Sequence, residues 1–457
     1  MTNELHNYDI FPKVFPKDKE IEITIKPLGE HAAFTKEEYL MQICPLTAGT
    51  RRAYPDTSTF SDEFKVKPDA DGCIRIKHTF RGEQEHFIRF LRDDMRKDFQ
   101  LSVYSVNEDL VGRYPFAGDL HMHTSRSDGQ QSPAIVAANY RRHGYDFLAI
   151  TDHRRYYPSL EAIDAYKDVD IEYTLIPGEE VHMPKGDPHH GNDVHMVNFG
   201  GKYSINALTT ASSHVEEVGE DKSKRSIDGN CPDTMSKEEF WDLIDAYADT
   251  LDIPEGVERF PFACCLWITE QIRKADGLSI FAHPYWIADV YHVPDSLSDA
   301  LFDKKAFDAF EVLGGENYFQ QNGFQTIYYY DQCAKGNKVP IVGSTDSHSS
   351  INNRNAFICS TIVFAPENTR ESLISSIKDF YSVAVDTISA EYRIVGDFRL
   401  VRYATFLYEN FFPLHDELCY EEGLLMKRYV TGEEDAEAQL KAIQGRMKRQ
   451  REKYFAF

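Results

Sequence analysis

The stretch GDLHMHTSRSDG, residues 118–129, decides the fold of the central part of this chain. Its two histidines, His121 and His123, are separated by one residue, so on a β-strand both side chains project to the same face. That geometry suits two imidazoles on one metal ion. The SDG that follows puts Asp128 in a glycine-containing loop just past the strand. The stretch therefore indicates a strand that ends at a metal-binding edge.

The sequence around this stretch repeats one pattern. Short apolar runs end in polar or ionisable residues and are separated by segments long enough for helices. Such alternation predicts an α/β fold with a parallel sheet, and seven units predict that the sheet closes into a barrel or near-barrel. The seven runs are FAGDLHMH, FLAITDH, YTLIPGEE, VHMVNFG, LSIFAHP, FDAFEVLG and VPIVGSTDSH.

Six of the seven runs carry a candidate metal ligand, which we expect near the face where the carboxyl ends of strands in parallel β/α folds converge on one cavity. Imidazole and carboxylate ligands without thiolates suit Zn²⁺, Mn²⁺ or Fe²⁺. We expect two or three divalent ions, and three that share a bridging carboxylate make economical use of so many ligands. The candidate metal ligands are His121, His123, Asp128, His153, Glu180, His195, His283, Asp346 and His348.

The sequence on either side of these runs predicts two further regions. Alternating apolar segments such as EIEITIKPL lie between turn-forming residues near the N-terminus, which predicts a small all-β domain. The C-terminal part ends in the helical stretch AEAQLKAIQGRMKRQREKYF. The expected domains are therefore a β-rich domain over residues 1–115, a barrel over 116–390 and a helical extension over 391–457.

An insertion of about residues 201–277 interrupts the barrel between the fourth and fifth runs. SKEEFWDLIDAYADTL and FACCLWITEQIRKA within it predict helices, and Ser236 with Glu239 predicts a capping box at the start of the first. Insertions over a barrel mouth often contribute to substrate selection, so we expect this one to do so.

The chain carries 50 basic and 74 acidic residues, a net charge of −24, which disfavours a broad grip on nucleic-acid backbone. Clustered divalent ions would still attract a small anionic substrate or a short oligonucleotide. The N-terminus lacks the apolar region of an export signal, and no apolar run approaches the roughly 20 residues that span a bilayer. We therefore expect a cytoplasmic protein without a membrane span.

Together, the motifs HMHTSRSDG, ITDH, PGEE, VHMVNFG, FAHP and STDSH resemble those of the polymerase and histidinol phosphatase (PHP) family of metallohydrolases. The match covers roughly residues 117–390. A β-rich N-terminal domain that leads into GDLHMHT is similar, more particularly, to bacterial PHP hydrolases that include carbaryl-type carbamate hydrolases. The resemblance implies a distorted (β/α)7 barrel of PHP type with a trinuclear metal centre.

The resemblance also implies how the ligands divide among the ions. PGEE offers two adjacent carboxylates, and the family's usual G-x-E spacing favours Glu180 over Glu179 as the bridging ligand. The implied sets are His121, His123, Glu180 and Asp346 for the first ion; Glu180, His195 and His283 for the second; and Asp128, His153 and His348 for the third.

Members of this family mostly hydrolyse phosphoesters. Clustered divalent ions supply metal-bound hydroxide near neutral pH and clamp the non-bridging oxygens of a phosphoryl group. We therefore expect a hydrolase that acts on a small phosphorylated molecule. Arg154 and Arg354 lie on loops at the same face as candidates to bind phosphate oxygens, with Tyr285 as a candidate at the mouth. A loop role is expected for a second histidine-rich patch of His182, His189 and His190.

Three other readings fit the same residues. The same centre could hydrolyse a carbamate, ester or amide by attack on a polarised carbonyl. It could also act as a 5′–3′ exonuclease on short oligonucleotides, as some relatives do, although the acidic balance counts against this activity. A non-catalytic PHP module is the last alternative, and the complete ligand set counts against it.

Overall fold

The structure is a computed structural model, and it describes residues 4–47, 60–184, 186, 188–209, 234–287, 289–314, 319–351, 357, 359–387 and 392–457. The chain divides into two compact units. The first contains Met1–Arg113, Phe398–Leu418 and Gly445–Phe457, and the second contains Tyr114–Asp397 and Cys419–Gln444. The domain boundaries expected at residues 115 and 390 stay a prediction.

The regular elements of the described residues are numbered along the chain. The strands are β1 (Tyr8–Phe11), β2 (Val14–Pro16), β3 (Glu20–Pro27), β4 (Tyr39–Pro45), β5 (Asp62–Val66), β6 (Ile74–Thr79), β7 (Gln84–Leu91), β8 (Lys97–Val106), β9 (Tyr114–Asp119), β10 (Phe147–Ala149), β11 (Thr174–Ile176), β12 (Gly178–Val181), β13 (Met196–Phe199), β14 (Leu278–Phe281), β15 (Ala309–Leu313), β16 (Ile341–Gly343), β17 (Cys359–Ala365), β18 (Ser382–Asp386) and β19 (Arg393–Val395). The helices are α1 (Pro133–Arg142), α2 (Tyr157–Ala165), α3 (Lys237–Asp249), α4 (Arg259–Lys274), α5 (Asp295–Asp303), α6 (Phe319–Lys335), α7 (Arg370–Lys378), α8 (Phe398–Asn410), α9 (Phe412–Val430), α10 (Ala436–Ile443) and α11 (Arg446–Tyr454).

Two sheets in the first unit share one apolar core. One sheet has the strand order β1-β3-β6 and the other has the order β2-β8-β7-β4-β5. In β3, Ile23 and Ile25 are buried and the charged Glu22 and Lys26 are exposed, as the period of two predicts. This compact unit also includes α8, the beginning of α9, and α11.

The C-terminal helical stretch is not continuous. It divides into α10 and α11 because Gly445 between them has a φ of +77°, in the left-handed region that favours glycine. The expected extension is therefore helical, but it consists of separate helices.

The second unit is a mixed α/β structure with a curled, half-barrel sheet. Its strands form two sheets, of orders β11-β10-β9-β17-β18-β19 and β12-β13-β14-β15-β16. Apolar side chains from both sheets, such as Phe116, Phe147, Val197, Ile280 and Val342, meet in one core. The complete (β/α)7 barrel stays a prediction.

One strand departs from the parallel order expected from the sequence. Strand β13 is antiparallel to both β12 and β14, whereas β14, β15 and β16 are parallel to one another. Met196 at the start of β13 pairs with Phe281 at the end of β14. The residue just before β13 therefore lies at the edge where its neighbours end.

The insertion contains both expected helices, α3 and α4. The predicted capping box is confirmed: Glu239 N donates to Ser236 Oγ, and Ser236 N donates to Glu239 Oε2. Residues 210–233 of the insertion lie outside the described residues. Among the residues that are described, no helix combines the length and apolar character needed to cross a membrane.

Candidate metal centre

The HxH motif directs two imidazoles to one place just past the end of β9. His121 and His123 are completely buried, and their ring centroids are 5.3 Å apart. Met122 between them packs instead in an apolar cluster with Leu148 and Tyr140. This alternation is what a strand-like backbone imposes, and it brings both histidines to the same face, as the sequence predicts.

Asp346 lies against both histidines of the motif. Its Oδ1 accepts a hydrogen bond from His123 Nε2 at 2.8 Å and lies 3.3 Å from His121 Nε2. A parallel bridge between Met122 and Ser347 brings the two segments together. Asp346 has a φ of +47°, an uncommon conformation that persists where the surroundings impose it. Burial would raise the pKa of Asp346, but the neighbouring His121 and His123 hold it well below its usual range.

Glu180, completely buried at the end of β12, is surrounded by histidines. Burial would raise its pKa, but the surrounding imidazoles hold it well below its usual range. Around Oε1 are His195 Nδ1 at 2.7 Å, His283 Nε2 at 3.4 Å and His121 Nε2 at 3.5 Å. Around Oε2 are His182 Nε2 at 2.9 Å, His123 Nε2 at 3.9 Å and His153 Nδ1 in close contact.

The neighbouring carboxylate, Glu179, points to the opposite face of β12. Its side chain accepts from Asn198 Nδ2 in β13 at 3.2 Å and from the segment that follows. In that segment, Ser204 Oγ and Asn206 Nδ2 donate to Oε2 at 2.7 and 2.8 Å, and Ile205 N donates to Oε1 at 2.5 Å. Because adjacent strand residues face opposite sides, only Glu180 reaches the histidines.

A third group of side chains surrounds Asp128. Its Oδ2 lies 3.4 Å from His153 Nε2, and its Oδ1 lies 3.4 Å from His348 Nε2. The His123 ring stacks near both imidazoles, with centroid distances of 4.1 Å to His153 and 4.4 Å to His348. Glu180 and Asp128 together raise the pKa of His153 to about 10, against the effect of burial.

These side chains fit a set of divalent cations. Four of the atoms that converge here are buried and make no hydrogen bond, although buried polar atoms normally have partners: His121 Nε2, His195 Nδ1 and both Glu180 oxygens. Imidazole and carboxylate donors without a thiolate match Zn²⁺, Mn²⁺ or Fe²⁺. Potential ligand atoms lie within 4.8 Å of one another in several groups, which include His123, Asp128, His153 and His348; His121, His123 and Glu180; His121, His283 and Asp346; and His195, His283 and His292.

Three buried carboxylates lie behind this centre. Glu311 Oε2, in the middle of β15, is 2.9 Å from His121 Nδ1, so it orients the ring with Nε2 towards the other candidate ligands. Asp119 accepts from Thr345 N and Oγ, and Asp152 accepts from Thr124 N and Oγ. Each aspartate therefore ties its strand end to the segment that carries a neighbouring ligand.

The candidate substrate-binding residues have different positions. Arg154, at a φ of +59°, donates its backbone N–H to Glu180 O at 2.9 Å. Burial lowers the pKa of His182 to about 4, and the nearby charge of Arg154 acts in the same direction. Tyr285 OH donates to Asp295 Oδ1 at 3.1 Å. Arg354 lies outside the described residues.

Two histidines at the centre were not among the sequence-derived ligands. His182 has the same i, i+2 relation to Glu180 that His123 has to His121, so strand alternation could have identified it, whereas we expected a loop role. His292 reaches the centre through a loop without periodicity, and its sequence position gives no signal. The other two members of the second patch lie away from Glu180: His189 and His190 pair with Asp245 at 3.4 and 3.1 Å.

Known proteins are similar to parts of this chain. No protein-family profile matches the chain. A segment of 99 residues is 33% identical to the DNA polymerase/3′-5′ exonuclease PolX of Bacillus subtilis (strain 168), and it covers 21% of this chain and 17% of PolX.

Two solved structures share part of the fold. The first is a two-domain protein from Bacteroides vulgatus ATCC 8482 that contains a predicted PHP-like metal-dependent phosphoesterase, with 16% identity, 60% of this chain and 65% of that chain covered, and a TM-score of 0.38. The second is a proposed metal-dependent phosphoesterase from Bifidobacterium adolescentis ATCC 15703, with 18% identity, 52% and 92% covered, and a TM-score of 0.30. Both are described as PHP-like or metal-dependent phosphoesterases, the class that the motifs of this chain resemble. The narrower resemblance to carbaryl-type hydrolases stays a prediction.

Proposed function

We propose that this protein is a metal-dependent phosphoesterase that acts on a small anionic phosphorylated molecule. The observation that carries the proposal is the position of Glu180, whose two buried oxygens face imidazoles from several strand ends and make no hydrogen bond. A carboxylate in this position is suited to bridge cations, and it has no evident role in packing. The surrounding donor types are those of hydrolytic metal centres.

The division of ligands among three ions is part of the proposal. The 2.8 Å and 3.3 Å contacts of Asp346 with the HxH histidines support a first set with Glu180. The contacts of Asp128 with His153 and His348 support a third set. Contacts from His195 and His283 to the same Glu180 oxygen support a second. The distorted (β/α)7 barrel, the N-terminal all-β domain and the cytoplasmic location belong to the same proposal.

Clustered divalent ions, when bound, activate water and neutralise charge on the oxygens of a phosphoryl group. The chain's own residues hold that arrangement in place. Glu311 fixes the orientation of His121, and Asp152 holds the loop that carries Asp128. Arg154, next to His153 in sequence and close to His182, is suited to bind a substrate phosphate from this side.

The proposal is tested with a substrate panel. Full-length protein is treated with chelator, reloaded with Mn²⁺, Zn²⁺ or Fe²⁺, and assayed on an aryl phosphomonoester, an aryl phosphodiester, an aryl carbamate and a labelled trinucleotide. We expect turnover of a phosphoester that disappears on chelation and returns with one of the metals. Hydrolysis of the carbamate alone would replace the proposal with a carbonyl hydrolase.

The similarity to PolX favours one second candidate, an exonuclease that acts on short oligonucleotides, because exonuclease activity is part of that protein's description. The net charge of −24 counts against extended contact with nucleic acid. Stepwise digestion of the trinucleotide, with little turnover of the two aryl phosphates, would favour this candidate. The direction of digestion would then distinguish 5′–3′ from 3′–5′ cleavage.

A further inference from the structure

His292 forms a group of three imidazoles with His195 and His283. Its ring centroid is 4.2 Å from that of His195 and 5.6 Å from that of His283. One ring nitrogen of each residue lies within 4.8 Å of those of the other two. The Nδ1 atoms of His195 and His292 are buried without a hydrogen-bond partner, and His283 turns its Nε2 towards Glu180. Unpartnered nitrogens on two adjacent rings are unusual in a protein interior.

The loop after His283 folds back onto its own first residues. Trp286 N donates to His283 O at 3.0 Å, and Val293 N donates to Pro284 O at 3.1 Å. His292 N donates to Trp286 O at 2.7 Å, which fixes the backbone of His292 beside the loop's first turn. The backbone position of His292, from which its imidazole extends, is therefore set by local hydrogen bonds.

We propose that His292 is a ligand of the second ion, together with Glu180, His195 and His283. This inference rests on the proposed metal-dependent function and adds a residue that the motif-derived ligand set does not contain. Glu180 Oε1 lies 2.7 Å from His195 Nδ1 and 3.4 Å from His283 Nε2, on the same side of the carboxylate. Three imidazoles and one carboxylate complete the four-donor set of a closed zinc site.

A closed second site would affect which ions can bind water or substrate. Catalytic zinc keeps a position open for water or substrate, whereas a structural site uses four protein ligands. With His292 as a ligand, the second set would have four protein donors, as the first set does. The third set, of Asp128, His153 and His348, would then be the one with a position open to water or substrate.

The experiment measures metal binding by full-length protein, without any substrate. Chelator-treated wild type, His292→Ala and His292→Gln are titrated with Zn²⁺ by calorimetry, and the visible spectrum of the Co²⁺ forms is recorded. His189→Ala is the matched control because it also removes one histidine, but from a side chain that is exposed and pairs with Asp245. Far-UV circular dichroism and urea unfolding verify that each variant is folded.

We expect one Zn²⁺-binding step to weaken by more than about 100-fold in both His292 variants, beyond the ~10–100-fold that loss of an outer partner causes. The Co²⁺ absorption of the four-coordinate site should fall in the same variants, and His189→Ala should match the wild type. Unchanged Zn²⁺ titrations in folded His292 variants would overturn the inference, even if KM rose. Failure of the wild type itself to bind Zn²⁺, Mn²⁺ or Fe²⁺ would instead overturn the proposed function.

Discussion

Replacement of Glu180 by glutamine should abolish tight metal binding and turnover while the protein stays folded. The substitution conserves volume and removes only the negative charge, so packing around β12 should change little. It leaves Asp346 as the one carboxylate of the proposed first set and removes the proposed bridge to the second. Both oxygens of Glu180 face imidazole nitrogens, at distances from 2.7 Å for His195 to 3.9 Å for His123.

The magnitude follows from this position. Loss of an outer partner of a metal ligand costs about 10–100-fold in affinity, and a shared ligand should cost more. At a Zn²⁺ concentration 100 times the wild-type Kd, binding stabilises the fold by about 2.7 kcal/mol. A site weakened by about 100-fold retains about 0.4 kcal/mol at the same concentration. The zinc-dependent gain in unfolding free energy should therefore fall by at least about 2 kcal/mol.

The assay is urea unfolding with and without Zn²⁺, combined with turnover of the phosphoester selected by the substrate panel. Glu179→Gln is the matched control, because Glu179 is equally buried and adjacent but bonds to Ser204, Ile205 and Asn206. An amide in its place leaves a buried donor facing a donor, so we expect a loss of about 1–3 kcal/mol in stability. Its zinc-dependent gain should remain.

The two variants thus have opposite signatures. Wild-type turnover in Glu180→Gln, or a full zinc-dependent gain in its stability, would refute the assignment of the centre. Loss of zinc binding in Glu179→Gln alone would mean that the other carboxylate of PGEE is the bridging ligand.

Three further predictions concern residues outside the ligand set. Glu311→Gln should weaken Zn²⁺ binding by about 10–100-fold in calorimetry, because the hydrogen bond that orients a ligand imidazole changes character. Glu422→Gln should cost about 1.5–3 kcal/mol in urea unfolding, because the completely buried Arg141 loses its 2.6 Å ion pair and keeps the one with Asp146 at 3.1 Å. The exposed Glu421→Gln should cost less than about 0.5 kcal/mol. Burial lowers the pKa of His86 to about 4, so the fold keeps this imidazole neutral while the unfolded chain takes up a proton below pH 6.5. Unfolding free energy should therefore fall by up to about 3 kcal/mol as the pH decreases from 6.5 to 4, and His86→Gln should remove that part of the fall.

Each of these predictions has an outcome that contradicts it. Wild-type zinc affinity in Glu311→Gln would mean that the imidazole is held by its surroundings alone. Equal stability losses for the substitutions at 421 and 422 would mean that the buried ion pair of Glu422 does not contribute to the free energy of unfolding. A fall in stability with pH that is identical in wild type and His86→Gln would show that other groups produce all of it.

The sequence alone determined the types and chain positions of most of the side chains that converge at the candidate metal centre. The alternation of strand residues requires His121 and His123 to share a face, and it places Glu180 and Glu179 on opposite faces. Strand ends that meet at one edge then bring distant ligands together, as the bridges of Met122 with Ser347 and of His153 with Glu180 demonstrate. The start of α3 could also be predicted from local sequence, because its capping box depends on two residues that are three positions apart.

Only the tertiary structure decided the direction of β13 and the presence of His292 at the centre. The antiparallel pairing of β13 depends on hydrogen bonds with its two neighbours. A short apolar run has the same sequence pattern in a parallel and in an antiparallel strand. His195 reaches the ligand edge because it precedes that reversed strand. His292 is there because a loop without periodicity closes on itself through backbone hydrogen bonds, which no pattern of side chains encodes.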